Sequence, residues 1–162
     1  MRRPKDRRKD GDMETKGRLL AVCISERSGT RKTPIPVGVL REDFGLVGDS
    51  HAGSGRQVSL LADESVEKMR SAQLTLRPGD FAENLTTSGI AVHTLPVGTR
   101  LRVGPTAILE VTQIGKECHA DCEIMKLAGS CIMPKEGIFA RVVIGGEVKA
   151  GDEIEVLVES AP

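Results

Sequence analysis

The chain has almost no aromatic residues. Its 162 residues include three Phe and neither Trp nor Tyr. A hydrophobic core must therefore be aliphatic, and the aromatic platforms on which proteins stack single-stranded nucleic acid are missing. The formal net charge is zero, so no general field attracts nucleic acid either. We expect no nucleic-acid partner.

Long apolar runs are also missing. No segment approaches the length of a membrane-spanning helix, and no apolar stretch follows the basic residues at the start. We therefore expect a cytoplasmic protein without a signal peptide or membrane attachment, whose four cysteines are reduced. Residues 1–16 are polar and basic, and we predict a disordered tail there, followed by one domain over residues 17–159.

Short apolar segments broken by Gly and Pro fill most of the chain beyond residue 17. Several alternate polar with apolar residues, as strands do when one face is buried. Strands at this spacing are typical of an all-β barrel or sandwich. We predict strands at residues 18–24, 35–40, 57–61, 99–103, 107–114, 138–144 and 153–158. The predicted core contains Leu20, Val22, Leu60, Leu109, Val111, Val142 and Ile154.

Helix signals are few. Residues 63–70 have acidic residues first and basic residues last, which suits the helix dipole. Residues 122–127 could form another turn or two. Residues 75–96 show little periodicity, so we predict a loop-rich segment of the kind that is often functional.

Cys118 follows an apolar run and lies between Lys116 and His119. Neighbouring cations favour the thiolate, which can attack an electrophile, carry sulfur or ligate a soft metal. Cys122 and Cys131 follow closely, and such crowding in a reduced protein points to metal binding or catalysis. Cys118, His119, Cys122 and Cys131 could hold zinc, although paired Cys-x2-Cys knuckles are absent. Alternatively, Cys122 and Cys131 are small buried hydrophobes.

A glycine-rich stretch over residues 45–57 contains Asp49, His51 and Arg56. These supply a carboxylate, an imidazole and a guanidinium, and the last can fork onto a phosphate or carboxylate. The stretch lacks the Gly-Lys-Ser/Thr ending of a nucleotide-binding P-loop. The simpler interpretation of residues 45–57 is a turn that is exposed to solvent.

A second polar stretch covers residues 78–87. Glu83 and Asn84 could hydrogen-bond the edge of a heterocycle. Asn84 and Asp80 could instead cap local turns through their own side chains.

Taken in order, these segments resemble the MOSC domain, the family of the C-terminal domains of molybdenum cofactor sulfurases. The resemblance extends from about residue 18 to residue 158. The matching pieces are residues 48–53, 56–61, 78–86 and 95–101, Cys118, and residues 137–142 and 151–154.

The resemblance implies a mainly β fold, a small barrel with a few short helices, that binds the molybdenum cofactor (molybdopterin). It implies a catalytic Cys118 that serves as molybdenum ligand or sulfur acceptor in a sulfur carrier or cofactor-binding protein. The partner would be a sulfurase, a molybdoenzyme or an electron donor. The alternatives are a reductase of N-hydroxylated substrates and a non-enzymatic, zinc-stabilised interaction barrel. Pyridoxal phosphate is not expected, because sulfurases bind it in a separate domain.

The resemblance also implies which side chains surround the cofactor. Arg56 suits its phosphate, Glu83 and Asn84 suit the pterin edge, and Arg141 adds a second cation. The extra Cys122 and Cys131 raise the prospect of a persulfide relay or a second metal. The full predicted set is Asp49, His51, Arg56, Ser59, Glu83, Asn84, Thr86 and Arg141, with Cys118.

We predict that Cys118 reacts with an alkylating reagent before the other cysteines near neutral pH, because Lys116 and His119 favour its thiolate. Brief labelling followed by mass spectrometry measures the order of reaction. Faster labelling of Cys23 or Cys131 would contradict the prediction.

Overall fold

The computed structural model describes residues 15–27, 30–70, 75–115 and 133–157. Its strands are β1 (Lys16–Ile24), β2 (Thr33–Ile35), β3 (Gly38–Arg41), β4 (Gly45–Leu46), β5 (Val58–Ala62), β6 (Leu85–Ser88), β7 (Arg100–Val103), β8 (Ala107–Ile114), β9 (Ile138–Ile144), β10 (Gly146–Val148) and β11 (Glu153–Leu157). Within these ranges the helical segments are Asp63–Glu67, Val92–Thr94 and Met133–Glu136. None is long and apolar enough to cross a membrane. The mainly β prediction is confirmed. The helix predicted at residues 122–127 and nearly all of the predicted tail lie outside the described residues.

Seven strands close into a barrel, in the order β1, β11, β7, β8, β9, β5 and β6, with β6 returning to β1. Pairing around the ring is antiparallel except between β5 and β6, which run parallel. β2 adds to β1 outside the ring, and β10, β3 and β4 form a separate small sheet. The barrel prediction from the sequence is therefore confirmed.

The core is aliphatic, as the scarcity of aromatic residues requires. Six of the seven predicted core residues are buried, and Leu20 is the exception at 40% exposure. The register of β1 against β6 shifts between Leu19 and Ala21, so the strand carries a bulge there. A bulge inserts one residue and reverses the inward and outward sides beyond it. Leu19 is therefore fully buried in place of Leu20.

The segment predicted to be loop-rich, residues 75–96, contributes β6 to the barrel wall. The β6 residues Thr86 and Thr87 are fully buried, so the strand lacks the alternating apolar pattern by which strands are recognised. The same segment supplies Phe81 to a second apolar cluster. That cluster contains Leu61, Val66, Leu76, Phe81 and Phe139.

We expect Leu19→Ala to lower the free energy of unfolding by about 2–5 kcal/mol, because it leaves a cavity in the barrel core. Leu20→Ala is the matched control and should cost less than about 1 kcal/mol. Urea denaturation measures both. A larger loss for Leu20→Ala would contradict the bulged register.

Candidate functional site

Two polar loops meet at the C-terminal end of β1. The loop at residues 45–57 is attached there because the Ser25 amide donates to Asp49 Oδ1 at 3.0 Å. The polar stretch at residues 78–87, which continues into β6, is attached two residues earlier. Cys23 N donates to Asn84 O at 2.7 Å, and Asn84 Nδ2 donates to Cys23 O at 3.0 Å. The tertiary structure thus brings together two stretches that are separate in the sequence.

A buried ion pair lies at this junction. Lys32 Nζ is 2.8 Å from Asp49 Oδ1, and both side chains are 0% exposed. Lys32 Nζ also donates to Ser25 Oγ at 3.0 Å. Burial by itself raises the pKa of Asp49, but hydrogen bonds from His51 and Lys32 outweigh burial and hold this pKa well below its usual range. Asp49 is therefore an anion that neutralises Lys32.

The sequence analysis did not identify Lys32. It lies among polar residues just before β2, where a lysine ordinarily faces solvent. Its partner is seventeen residues away and belongs to another loop. The only local signal was the Asp49 carboxylate itself, which needed a cation if it was to be buried.

His51 lies beside the ion pair. Its amide donates to Asp49 Oδ2 at 3.0 Å, and its ring Nδ1 is 3.7 Å from the same oxygen. The side chain is 26% exposed. Among the described residues, Nδ1 has no hydrogen-bond partner although it is buried. The ring nitrogen therefore faces Asp49, at a distance longer than a hydrogen bond.

The Glu83 carboxylate is fully buried and lies at the centre of the second loop. Its Oε2 accepts from Gly79 N at 2.9 Å and from Thr86 Oγ1 at 2.6 Å, and its Oε1 accepts from Phe81 N at 3.2 Å. Burial raises the pKa of Glu83, and these hydrogen bonds offset only part of that rise. The carboxylate fixes the shape of its own loop.

Asn84 links that loop to β5. The side-chain Oδ1 of Asn84 accepts from the backbone amide of Ser59 at 3.0 Å, and the backbone amide of Asn84 donates to Ser59 Oγ at 2.9 Å. Both side chains are buried. Four predicted site residues, Ser59, Glu83, Asn84 and Thr86, therefore use their polar atoms inside the protein.

Cys23 lies next to this network. Burial and the nearby carboxylates of Glu83 and Asp80 raise the pKa of its thiol to about 12, although Lys32 acts in the opposite direction. At neutral pH the group is a thiol and a poor nucleophile.

Arg56 lies elsewhere, on the outer side of the barrel wall. Its guanidinium carbon is 5.3 Å from the centroid of the Phe139 ring, within the range of a cation–π contact. Two residues before Phe139, the carbonyl of Gly137 accepts from Gly115 N at 2.7 Å. Gly115 and Gly137 flank the part of the sequence that contains Cys118. Arg56 is therefore close to the point where that part joins the barrel.

Arg141 follows Phe139 by two residues, so both lie on the same face of β9. Its guanidinium is 3.2 Å from Glu110 Oε1, and Arg100 approaches the same oxygen at 3.3 Å. The Glu110 carboxylate thus partly neutralises the positive charge of Arg141.

The predicted catalytic and metal-binding cysteine, Cys118, lies outside the described residues, as do His119, Cys122 and Cys131. Within residues 15–27, 30–70, 75–115 and 133–157, no three His, Cys, Asp or Glu side chains are grouped to hold a metal ion. The predicted zinc and molybdenum ligands therefore stay predictions.

We expect Asp49→Asn to lower the free energy of unfolding at pH 7 by about 3–5 kcal/mol, because Lys32 then lacks its buried counter-charge. The folded-state pKa of Asp49 is depressed, so its contribution is complete above its unfolded value of about 4 and is lost as the pH falls below that. The difference between parent and variant should shrink at pH 3. Chemical denaturation at both pH values measures it, with the exposed Glu147→Gln as control. An equal difference at both pH values would contradict the charge role.

The MOSC domain model matches residues 47–155, which is more than half of the chain. The matched part includes Asp49, His51, Arg56, Cys118 and Arg141, whereas Lys32 precedes it. No curated protein matches the sequence.

Solved structures with the same fold include the YuaD protein from Bacillus subtilis. It has a TM-score of 0.70 and 20% identity, over 88% of this chain and 96% of that one. YiiM from Escherichia coli has a TM-score of 0.59 and 22% identity, over 90% of this chain and 72% of its own. YiiM from Geobacillus stearothermophilus has a TM-score of 0.56 and 18% identity, over 90% and 75%. Together with the sequence match, the closed barrel establishes that the chain belongs to the MOSC domain family, and its role is related to the molybdenum cofactor.

Proposed function

We propose that the protein binds the molybdenum cofactor on the outer side of the barrel next to Arg56, and that Cys118 serves there as metal ligand or sulfur acceptor. One observation carries this proposal. The Arg56 guanidinium lies over Phe139, two residues after Gly137, and Gly137 O accepts from Gly115 N. Gly115 and Gly137 flank the part of the sequence that contains Cys118. A cation that can bind a phosphate thus lies near the start of β9, which follows the Cys118-containing part of the sequence, and a cysteine thiolate is a ligand that suits a soft metal.

The residues at this place fit such a ligand. Arg56 is exposed, and within the described residues its guanidinium makes no ion pair, so its donors are free for a phosphate. When bound, the cofactor supplies a molybdenum centre that accepts sulfur ligands.

The other predicted residues take supporting roles in this proposal. Asp49, which is paired with Lys32, accepts a hydrogen bond from the backbone amide of His51 and so fixes the position of that residue. Glu83, Asn84 and Thr86 fix the backbone of residues 78–87, because their own polar atoms already have partners inside the protein. Ser59 joins that loop to β5. Arg141 contributes a cation whose charge is tempered by Glu110.

As a sulfur acceptor, Cys118 would act with a partner sulfurase. Its thiolate would attack the outer sulfur of the partner's persulfide, and the partner's thiolate would leave. Lys116 and His119 would assist by favouring the attacking thiolate. The buried Cys23 cannot replace Cys118 in this step, because its thiol pKa is raised to about 12.

We expect Arg56→Ala to weaken binding of the molybdenum cofactor by about 1.5–3 kcal/mol, because it removes a charge-assisted contact to phosphate. The melting temperature should barely change. Arg41→Ala is the matched control, since Arg41 also lies over a ring, 4.1 Å from the centroid of Phe44, but on the small separate sheet. Fluorescence titration measures the affinities. Equal affinity of parent and Arg56→Ala would refute the phosphate role.

We expect Cys118→Ser to abolish cofactor loading while the melting temperature stays close to that of the parent, because the aliphatic barrel core needs no metal. Cys122→Ser is the control and should still load. A structural zinc site would behave differently, because metal-binding energy is then part of the folding energy. In that case both variants, or a chelator added to the parent, would lower the melting temperature sharply. That result would support the interaction-barrel alternative.

A further inference from the structure

Gln57 is the last residue of the glycine-rich loop and directly follows Arg56. The residue is buried, and a buried amide needs hydrogen-bond partners for both its oxygen and its nitrogen. Gln57 Oε1 accepts from Val142 N at 3.0 Å, and Gln57 Nε2 donates to Asp43 Oδ1 at 3.2 Å. One side chain therefore joins the end of the loop to β9 and to the turn between β3 and β4.

These bonds complete the barrel wall where two strands separate. The ladder between β5 and β9 begins at Val58, which faces Ala140. Val142 lies two residues beyond that pair on β9. Its amide donates to the side chain of Gln57, and its carbonyl accepts from Asp43 N at 2.8 Å. The side chain of Gln57 and the backbone of Asp43 thus continue the hydrogen bonding of the ladder past its end.

The turn between β3 and β4 is shaped to meet Gln57. Asp43 has a φ of +52°, a conformation that is uncommon for a residue other than glycine and that aspartate tolerates better than most. Gly45 has a φ of +128°, and a Cβ there would lie 2.8 Å from the carbonyl oxygen of Gln57. The backbone of Gln57 is therefore enclosed by this turn as well as held to β9.

Arg56 is consequently fixed on both sides along the chain. Its amide donates to Ser54 Oγ at 3.1 Å, and Gln57 follows it directly. The Arg56 guanidinium lies over Phe139, which is on β9 three residues before Val142. The same strand thus supplies the ring beneath Arg56 and the amide that binds Gln57. A shift of Gln57 relative to β9 would displace Arg56 from the ring.

We propose that Gln57 is a positioning residue that holds Arg56 over Phe139 and thereby prepares its guanidinium for the phosphate of the cofactor. Gln57 does not contact the ligand in this proposal, because Val142 and Asp43 already occupy its polar atoms. A long side chain that is placed before binding loses less conformational entropy when the ligand arrives. The consequence for binding rests on the proposed function, whereas the placement of Arg56 is a property of the ligand-free protein.

NMR spectroscopy of the ligand-free full chain tests the placement of Arg56. The aromatic ring of Phe139 displaces the side-chain signals of Arg56, and Phe139→Leu gives the positions of these signals without the ring. We expect Gln57→Ala to move the signals toward the Phe139→Leu positions. Leu19→Ala is the control for general destabilisation and should leave them unchanged, because Leu19 belongs to the barrel core. Unchanged Arg56 signals in folded Gln57→Ala protein would overturn the proposal.

The second measurement is a double-mutant cycle on the affinity for the molybdenum cofactor, read by fluorescence titration. Gln57→Ala alone should weaken binding by about fivefold or more, because a guanidinium that is no longer held in place binds phosphate less well. In the Arg56→Ala background the same change should have an effect of less than about twofold, because the group that Gln57 positions is gone. Equal weakening in both backgrounds would assign Gln57 a general structural role and would overturn the proposal.

Gln57→Glu and Asp43→Asn provide a test that does not require Gln57→Ala to fold. Gln57→Glu alone places two carboxylates at hydrogen-bond distance, and their repulsion should displace the Arg56 signals. Adding Asp43→Asn restores the bond with donor and acceptor exchanged, so the signals should return to the parent positions. A folded double variant in which they do not return would contradict the positioning role.

Failure of this inference and failure of the proposed function give different results. If Arg56→Ala weakens cofactor binding but Gln57→Ala changes neither the Arg56 signals nor the affinity, only the positioning role is overturned. If parent and Arg56→Ala bind the cofactor equally, the phosphate role of Arg56 is overturned together with the consequence for binding drawn from it. The NMR measurement, which needs no ligand, still decides in that case whether Gln57 places Arg56 over the ring.

Discussion

The buried pair of Lys32 and Asp49 is the interaction on which the polar end of the molecule depends. Removing two charges from water is costly, and their attraction compensates only when hydrogen bonds satisfy the remaining polar atoms. Here Ser25 and His51 supply those bonds. One ion pair thereby fastens the β2 segment and the glycine-rich loop to the end of β1. It also fixes the position of His51, whose backbone amide donates to Asp49 Oδ2.

β1 is the strand to which these loops are attached, and barrel closure fixes its position. It pairs with β11, β6 and β2, so its register is set by three neighbours. The bulge at Leu20 changes which β1 side chains face the barrel core, so that Leu19 before it and Val22 after it both point inward. Beyond the bulge, Cys23 and Ser25 receive the two polar loops. The arrangement of the polar residues at this end of the barrel therefore depends on how the wall closes, not on either loop alone.

The sequence predicted more of the fold than of the site. The long strands were found because period-two alternation survives in β7, β8 and β11. β6 was missed, because its buried threonines bond or pack inside the wall and break the apolar pattern. Leu20 was misplaced, because a bulge leaves no mark in a hydrophobic pattern.

By itself the sequence determined that the core is aliphatic, that the chain is mainly β, and that it resembles the MOSC family. These properties follow from composition and local order along the chain. Only the tertiary structure decided which polar side chains are buried with hydrogen-bond or ion-pair partners and which are exposed to solvent. Glu83, Asn84 and Asp49 look as exposed in the sequence as Arg56 does, yet the first three are buried with partners and Arg56 is not. Burial and pairing depend on residues distant in the sequence, such as Lys32 for Asp49 and Ser59 for Asn84, and no local pattern carries that information.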